Sequence, residues 1–143
     1  MILKEKELDV NIYLELRQKV GWKPLSRQQA KQALDHSIIT IVAYDNDKPV
    51  GMGRLVGDGA VICYIQDLLV IPEYQKKGVG GKLIEYLIEY VKKIQLPGTE
   101  MMLDLMCATG REKFYQKYGF VARPTEKLGP GMIQYLHKSD NEI

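Results

Sequence analysis

The segment VIPEYQKKGVGGKL, residues 70–83, carries the strongest structural signal in this sequence. A short apolar run reaches Pro72, and a glutamine and two lysines then lead into three glycines within four positions. A long amphipathic segment follows at once. The first backbone amides of a helix have no partner within the helix, and the helix dipole adds partial positive charge at that end. Glycines let an anion approach those amides, so the segment predicts a phosphate or pyrophosphate site at the start of a helix.

Two common nucleotide-binding patterns do not fit the glycine-rich segment. A Walker loop requires Ser or Thr after its Gly-Lys pair, whereas Gly81 and Lys82 are followed by Leu83. A dinucleotide-binding fingerprint, GxGxxG, requires a third glycine, and Gly78 and Gly80 again lead to Leu83 at that position. The predicted anion site is therefore of another type.

The N-terminal half of the sequence predicts two helices followed by a β-meander. The helices are expected at residues 9–20, with Val10, Leu14 and Val20 near one face, and at 26–36, where Ser26 and Gln29 form a capping-box pattern. Three apolar runs separated by turn residues then predict antiparallel strands at 37–44, 49–56 and 60–70. Gly51 and Gly53 inside the second strand indicate a bulge or a close backbone approach.

The C-terminal half predicts a strand–helix–strand unit and two closing strands. Apolar residues at helical spacing predict a helix over 79–94, and MMLDLMC (101–107) is typical of a strand buried on both faces. A short helix at about 110–118 and strands at 120–123 and 132–137 complete the pattern. We expect one α/β domain over residues 1–143, with a mixed, mostly antiparallel central sheet, a right-handed βαβ unit and flanking helices.

Composition excludes several classes of protein. A net charge of +2 is too small for a dedicated nucleic-acid binder, and no apolar run approaches the roughly 18 residues of a membrane span. The N-terminus lacks the pattern of a signal peptide. Cys63 and Cys107 lie in apolar runs without metal-ligand spacing, so we expect buried free thiols, no metal and a cytoplasmic location.

Gln75, Gly78 and Gly80 form a Q-x-x-G-x-G pattern after a strand end. In this the sequence resembles the GCN5-related N-acetyltransferase (GNAT) family, whose signature is [QR]-x-x-G-x-[GA] after such a strand. A second segment, FYQKYGF at 114–120, is similar to the family's F-Y-x-x-x-G-F segment, and the resemblance spans roughly residues 37–137. One departure is Cys107-Ala108-Thr109-Gly110, where family members often carry an asparagine.

The resemblance implies that acetyl-CoA is the co-substrate. In the family the glycine loop holds the pyrophosphate and the preceding strand pairs with the pantetheine arm, within a CoA-binding core at about 60–120. The residues implied in CoA binding are Leu68, Leu69, Val70, Gln75, Lys76, Lys77, Gly78, Val79, Gly80, Gly81 and Lys82. The helices at about 9–36 would form the acceptor side.

Amine acetylation by a thioester needs positioning and proton transfer rather than a covalent enzyme intermediate. Tyr115 matches the family tyrosine near the CoA sulfur, so it is the expected acid for the departing thiolate. Strand amides around Leu69 are the expected donors to the carbonyl oxygen. Asp67 is a candidate base, with a structural role or a relay water as alternatives. Strict alternation would place Cys63, Ile65 and Asp67 on one strand face.

The acceptor is less clearly indicated. Trp22 lies in the loop VGWKPLS (20–26), where it is either a binding residue or a core anchor. That loop and the segments at 49–59 and 64–80 resemble an arylalkylamine N-acetyltransferase subgroup, which implies a small primary amine. Arg54 would instead suit a substrate carboxylate or phosphate. Acetylation of lysines or N-termini in proteins and peptides and a non-catalytic acyl-CoA sensor remain alternatives, and an exposed last strand is compatible with a homodimer.

Overall fold

Residues 1–105 form a five-stranded sheet with three α-helices. The computed structural model describes residues 1–140, and its second compact unit begins at Met106. Strands β1 to β5 are Ile2–Glu5, Ile39–Asp45, Lys48–Gly57, Ile62–Val70 and Met102–Leu105. Helices α1 to α4 are Val10–Lys19, Arg27–Asp35, Val79–Ile94 and Glu112–Gln116, and a 3₁₀ turn spans Pro72–Tyr74. Among the described residues, no helix is both long and apolar enough to cross a membrane.

The sheet confirms the predicted α/β class. Its strands lie in chain order, with β1 to β4 antiparallel and β5 parallel to β4. The β4–α3–β5 crossover is the predicted βαβ unit. Strand β1 was not predicted, because the sequence ILKE offers only four residues and one weak alternation. Whether the whole chain acts as one domain, as expected, stays a prediction.

The N-terminal helices begin at side-chain caps. Asp9 accepts a hydrogen bond from the Ile12 amide at 2.8 Å, and the Ser26 hydroxyl accepts one from the Gln29 amide at 3.0 Å. These bonds satisfy amides that have no helical partner. The cap predicted at residue 26 is thus confirmed.

The core face of α1 differs from the prediction. Tyr13 and Leu16 are the buried side chains, whereas Val10, Leu14 and Val20 are only half-buried. The predicted face was chosen by apolarity alone. The true face is set by Tyr13, whose hydroxyl has a buried hydrogen-bond partner on the sheet.

Helix α3 lies close against β3 at two glycines. A Cβ added to Gly51 would lie 2.9 Å from the Leu69 carbonyl oxygen and 3.3 Å from Leu83 Cδ1. A Cβ on Gly53 would lie 3.0 Å from Leu87 Cδ1. The close approach expected at these glycines is confirmed, and it brings the start of α3 against the end of β4.

Strand β4 contains one extra residue relative to β3. Asp67 therefore lies on the opposite face of the sheet from the one predicted. Ile65 pairs with Leu55 and Asp67 pairs with Arg54, so Gln66 lies between them as a β-bulge. Because Arg54 and Leu55 are consecutive, their partners point to opposite faces of the sheet. The prediction that Ile65 and Asp67 share a face is therefore wrong.

Strand β5 is less buried than its sequence indicates. The run at 101–107 was predicted to be buried on both faces, but Met102 is exposed and the rest of the strand is only half-buried. The reason is topological, since within residues 1–140 β5 pairs only with β4 and forms an edge of the sheet.

The second unit, residues 106–140 as described, contains α4 and a long irregular segment. Gly119 follows the helix at φ +93°, as expected for a left-handed cap. The strands predicted at 120–123 and 132–137 do not form, because these residues pair with no strand in the described chain. Cys107 is exposed rather than buried, since β5 ends two residues before it, whereas Cys63 is buried as predicted.

Candidate active site

The glycine loop joins the end of β4 to the start of α3. The Gln75 side-chain amide donates to the Val70 carbonyl oxygen at 2.9 Å and so fixes the loop to the strand. Lys76 and Gly78 both have positive φ, at 63° and 84°. A Cβ at Gly78 would meet no atom within 4 Å, so the loop leaves open space in front of the helix.

Three backbone amides at the start of α3 are available to a ligand. The first hydrogen bond within the helix runs from the Lys82 amide to the Gly78 carbonyl oxygen at 3.2 Å. The amides of Val79, Gly80 and Gly81 therefore have no acceptor inside the helix. The side chain of Val79 is buried, so this residue offers only its amide. The predicted anion site thus has the donors it requires.

Positive charge surrounds these amides. Lys76, Lys77 and Lys82 are all exposed. Two ammonium groups lie over the Tyr74 ring, that of Lys77 at 5.3 Å and that of Lys48 at 5.4 Å from the centroid. Because Lys76, Lys77 and Lys82 flank these amides in the sequence, they add positive charge near the start of α3.

The end of β4 extends beyond its pairing with β5. The parallel pairing covers Ile62–Ile65, so the last residues of β4 have no partner in β5. The Ile71 amide donates to the Val50 carbonyl oxygen on the β3 side. Because successive residues of a strand direct their backbone groups to alternate sides, the amides of Leu68 and Val70 point away from β3. They fit an extended, amide-bearing ligand arm, whereas the Leu69 amide faces β3.

Asp67 lies at the centre of a buried charge cluster. It is 2% exposed, and its Oδ2 accepts hydrogen bonds from the Tyr13 hydroxyl at 2.8 Å and from Arg54 Nε at 2.6 Å. Its Oδ1 lies 3.5 Å from Arg17 Nη1. Burial and the neighbouring Asp67 carboxylate both raise the pKa of the Tyr13 hydroxyl. The hydroxyl therefore stays protonated and can donate its hydrogen bond. Both carboxylate oxygens therefore have cationic or hydroxyl partners.

Arg54, predicted as a substrate-binding residue, belongs to this cluster. It is 7% exposed, and its Nη1 donates to the Ser37 hydroxyl at 3.2 Å. The guanidinium thus links β3 to β4 and to the end of α2. Neither Tyr13 nor Arg17 was singled out from the sequence. Their spacing of four residues places them on one side of α1, but the partner that unites them lies 50 residues or more away.

Arg17 connects the cluster to the acceptor-side loop. Its Nη2 donates to the Lys23 carbonyl oxygen at 2.9 Å, and its guanidinium lies 5.3 Å from the centre of the Trp22 ring. Trp22 is half-buried. The ring therefore packs on a cation that is itself held by Asp67, which fixes the position of the loop relative to β4.

Tyr115 lies in the second unit, within a small aromatic group. Its ring meets those of Phe114 and Phe120 edge to face, with centroid distances of 5.0 and 5.9 Å. The side chain is half-buried. Burial raises the pKa of its hydroxyl above the ordinary value of 10.0, with a smaller effect from Cys107. Tyr115 is therefore protonated at neutral pH, as a proton donor must be.

Comparison with known proteins places this geometry in a family. The family model described as "Acetyltransferase (GNAT) domain" matches residues 36–122. An uncharacterised N-acetyltransferase of Prochlorococcus marinus is 29% identical over 123 residues, covering 83% of this chain and 66% of that protein. A histone acetyltransferase of Glycine max is 32% identical over 131 residues, covering 81% and 54%. The chain thus spans between half and two thirds of these relatives.

A solved structure supports the same family assignment. A GNAT-family acetyltransferase from Streptococcus pneumoniae has a TM-score of 0.80 and 31% identity, covering 96% of this chain and 98% of that chain. The glycine loop and the free end of β4 lie within the region matched by the family model. The chain therefore belongs to the GNAT family of acetyltransferases.

Proposed function

We propose that this protein transfers an acetyl group from acetyl-CoA to the primary amine of a small molecule, with both substrates bound at once. One observation carries the proposal. Three unpaired amides at the start of α3 lie next to a strand end whose outer backbone edge is unpaired by β5. Such a pair of features suits a ligand with a pyrophosphate and an amide-containing arm.

The chain's own groups would hold acetyl-CoA as follows. The amides of Val79, Gly80 and Gly81 bind the pyrophosphate, and the exposed lysines around them add charge. Leu68 and Val70 pair with the pantetheine arm. Acetyl-CoA supplies an already activated carbonyl, so the protein needs only to align the amine, stabilise the developing oxyanion and manage two protons.

We assign Tyr115 as the acid that protonates the departing thiolate, on the strength of the family resemblance and its protonated state. The catalytic role of Asp67 stays a prediction. Its buried ion pairs support the structural alternative, in which Asp67 orders α1 and β3 against β4. An ordered water is then the candidate that takes the ammonium proton.

Trp22 is the residue we propose to contact the acceptor. It is half-buried in the loop between α1 and α2, and Arg17 holds its ring in place. For Arg54, burial and the bond to Asp67 support a structural role rather than substrate contact. A reducing, cytoplasmic location is proposed on the sequence argument alone.

The first experiment is to measure CoA release from acetyl-CoA across a panel of arylalkylamines, polyamines, amino acids, aminoglycosides and a lysine peptide. Saturable turnover with a small amine is the expected result. Turnover with none of these, together with no binding of acetyl-CoA by calorimetry, would contradict the proposal.

A matched pair of variants tests the loop. Gly78→Ala and Gly98→Ala both place a side chain at positive φ, at 84° and 77°, with no atom within 4 Å of the new Cβ. They should cost similar stability, about 1–2 kcal/mol. Only Gly78→Ala should weaken acetyl-CoA binding, by about tenfold or more, since it alone crowds the anion site. Equal affinities for the two variants would show that the pyrophosphate binds elsewhere.

A second candidate is acetylation of a protein amine, favoured by the 32% identity to a histone acetyltransferase. Turnover on the lysine peptide alone would support it. Acetyl-CoA binding without turnover on any acceptor would instead favour a sensor of acyl-CoA.

A further inference from the structure

The last turn of α1 ends in a glycine cap that folds Trp22 back over the helix. The Gly21 amide donates to the Gln18 carbonyl oxygen and the Trp22 amide to the Arg17 carbonyl oxygen, both at 3.0 Å. Gly21 has a φ of +75°, as this type of helix end requires. The two positions that often make a hydrophobic contact at such a cap are occupied here by Trp22 and Arg17. Their contact is instead a guanidinium over an indole ring, 5.3 Å from the ring centre.

Helix capping alone does not explain the other contacts of the Arg17 side chain. Its Nη2 donates to the Lys23 carbonyl oxygen at 2.9 Å, and its Nη1 lies 3.5 Å from Asp67 Oδ1 on β4. The side chain is only 13% exposed, although arginine is mostly an exposed residue in proteins. One guanidinium therefore joins three parts of the chain, which are the end of α1, the loop that follows it and strand β4.

Asp67 does not need Arg17 to keep its charge paired. Its Oδ2 accepts hydrogen bonds from Arg54 at 2.6 Å and from the Tyr13 hydroxyl at 2.8 Å. Removal of Arg17 thus leaves the buried carboxylate with a cation and a hydroxyl donor. The loop, in contrast, loses both a hydrogen bond to its backbone and the group that covers its tryptophan ring. The effect of losing Arg17 should therefore fall on the loop more than on the sheet.

We propose that Arg17 is a positioning residue for the acceptor, which holds Trp22 and the loop at 20–26 in place relative to β4. The inference rests on the proposed function, in which Trp22 contacts the amine and the end of β4 binds acetyl-CoA. Asp67 directly precedes Leu68, so Arg17 ties the acceptor-side loop to the strand that would hold the acetyl donor. A guanidinium suits this role because its donors point in fixed directions while its face can stack on a ring.

Arg17→Gln should weaken acceptor binding and leave the acetyl donor unaffected. The acceptor KM should rise by about tenfold or more, because a misplaced loop binds the amine less well before and during the reaction. The kcat and the Kd for acetyl-CoA should stay at their wild-type values. Lys92→Gln is the matched control, since it also removes one positive charge, from an exposed ion pair with Glu89 on α3. Equal acceptor KM values for the two variants, or a loss of acetyl-CoA affinity in Arg17→Gln, would overturn the proposal.

Arg17→Lys tests the shape of the guanidinium separately from its charge. It keeps a cation beside Asp67, so it also serves if Arg17→Gln fails to fold. A lysine can pair with Asp67 or reach the Lys23 carbonyl oxygen, but its compact ammonium lacks the planar fork that does both. The acceptor KM of Arg17→Lys should therefore stay raised. Full recovery of the wild-type KM would show that only the charge matters and would overturn the positioning role.

Trp22 is the only tryptophan of the chain, so its fluorescence reports on the loop without any substrate. In both Arg17 variants the emission should shift to longer wavelength, and acrylamide should quench it more strongly, because the ring loses the cation that covers it. Lys92→Gln should give the wild-type spectrum. Unchanged emission and quenching in Arg17→Gln would overturn the proposal. A wild type that turns over no acceptor would contradict the proposed function instead, and the fluorescence would still decide whether Arg17 positions the loop.

Discussion

Replacing Asp67 with asparagine should destabilise the fold strongly, because the change leaves a buried arginine without its counter-ion. The carboxylate is 2% exposed and accepts a 2.6 Å hydrogen bond from Arg54, which is 7% exposed. Removing one partner of a buried ion pair typically costs about 3–5 kcal/mol. Arg54 keeps its bond to Ser37, which favours the lower end of that range.

The expected loss is large enough to see by thermal denaturation. With an unfolding entropy of about 2.1 cal/mol/K per residue over 143 residues, a loss of about 3 kcal/mol lowers Tm by roughly 10 °C. Asp35→Asn is the matched control, because Asp35 pairs with Lys31 at 2.7 Å while both side chains are more than half exposed. That exposed pair is worth only about 0.3–0.5 kcal/mol.

A double variant tests whether the loss comes from the unpaired arginine. Arg54→Met combined with Asp67→Asn removes the buried cation that the single variant leaves without its counter-ion, so the double variant should be more stable than Asp67→Asn alone. Equal Tm values for Asp67→Asn and Asp35→Asn would show that the buried charge cluster around Asp67 does not stabilise the fold. If Asp67→Asn instead kept its stability but shifted the pH–rate profile, Asp67 would be the base.

Three further outcomes are expected. Tyr115→Phe should lower turnover by a factor of about 10²–10⁴ without changing the Kd for acetyl-CoA, whereas Tyr118→Phe should leave both turnover and Kd unchanged. Full activity of Tyr115→Phe would show that Tyr115 is not the acid. Burial raises the pKa of Asp104 above 3.8, so its ionisation costs stability as the pH rises through that raised pKa. Asp104→Asn should therefore raise Tm more at pH 7 than at pH 3, and a pH-independent difference would contradict this. Gly51→Ala, whose Cβ would lie 2.9 Å from a backbone oxygen, should cost about 1–3 kcal/mol, while Gly129→Ala should be neutral in the same urea titration.

The parts of the fold that the sequence predicts are those set by local chemistry. Turn residues separate β2, β3 and β4, and glycines mark where α3 begins and α4 ends. The predicted cap at Ser26 acts over three residues. For the same reason the glycine loop could be recognised, since its donors are consecutive amides of one segment.

The parts that escaped prediction depend on distant partners. The bulge at Gln66 is visible only when β4 is aligned with β3, and no residue near Gln66 indicates that the strand contains an extra residue. The cluster of Tyr13 and Arg17 with Asp67 joins residues 50 or more apart in sequence. The segments at 120–123 and 132–137 have strand-like sequences, but strand formation also needs pairing with a partner strand, which no local pattern shows.

The order of the sheet also has a consequence for how the chain folds. Strands β3 and β4 are joined by four residues, whereas β4 and β5 are joined by the 31 residues from Ile71 to Met101. Each doubling of a flexible connection adds about 0.6 kcal/mol of closure entropy, so the last pairing costs about 1.8 kcal/mol more to close than the hairpin. The meander can therefore assemble from neighbouring segments, while the pairing of β5 with β4 is expected to form later. The strand end and glycine loop that we propose to bind acetyl-CoA are then completed late in folding.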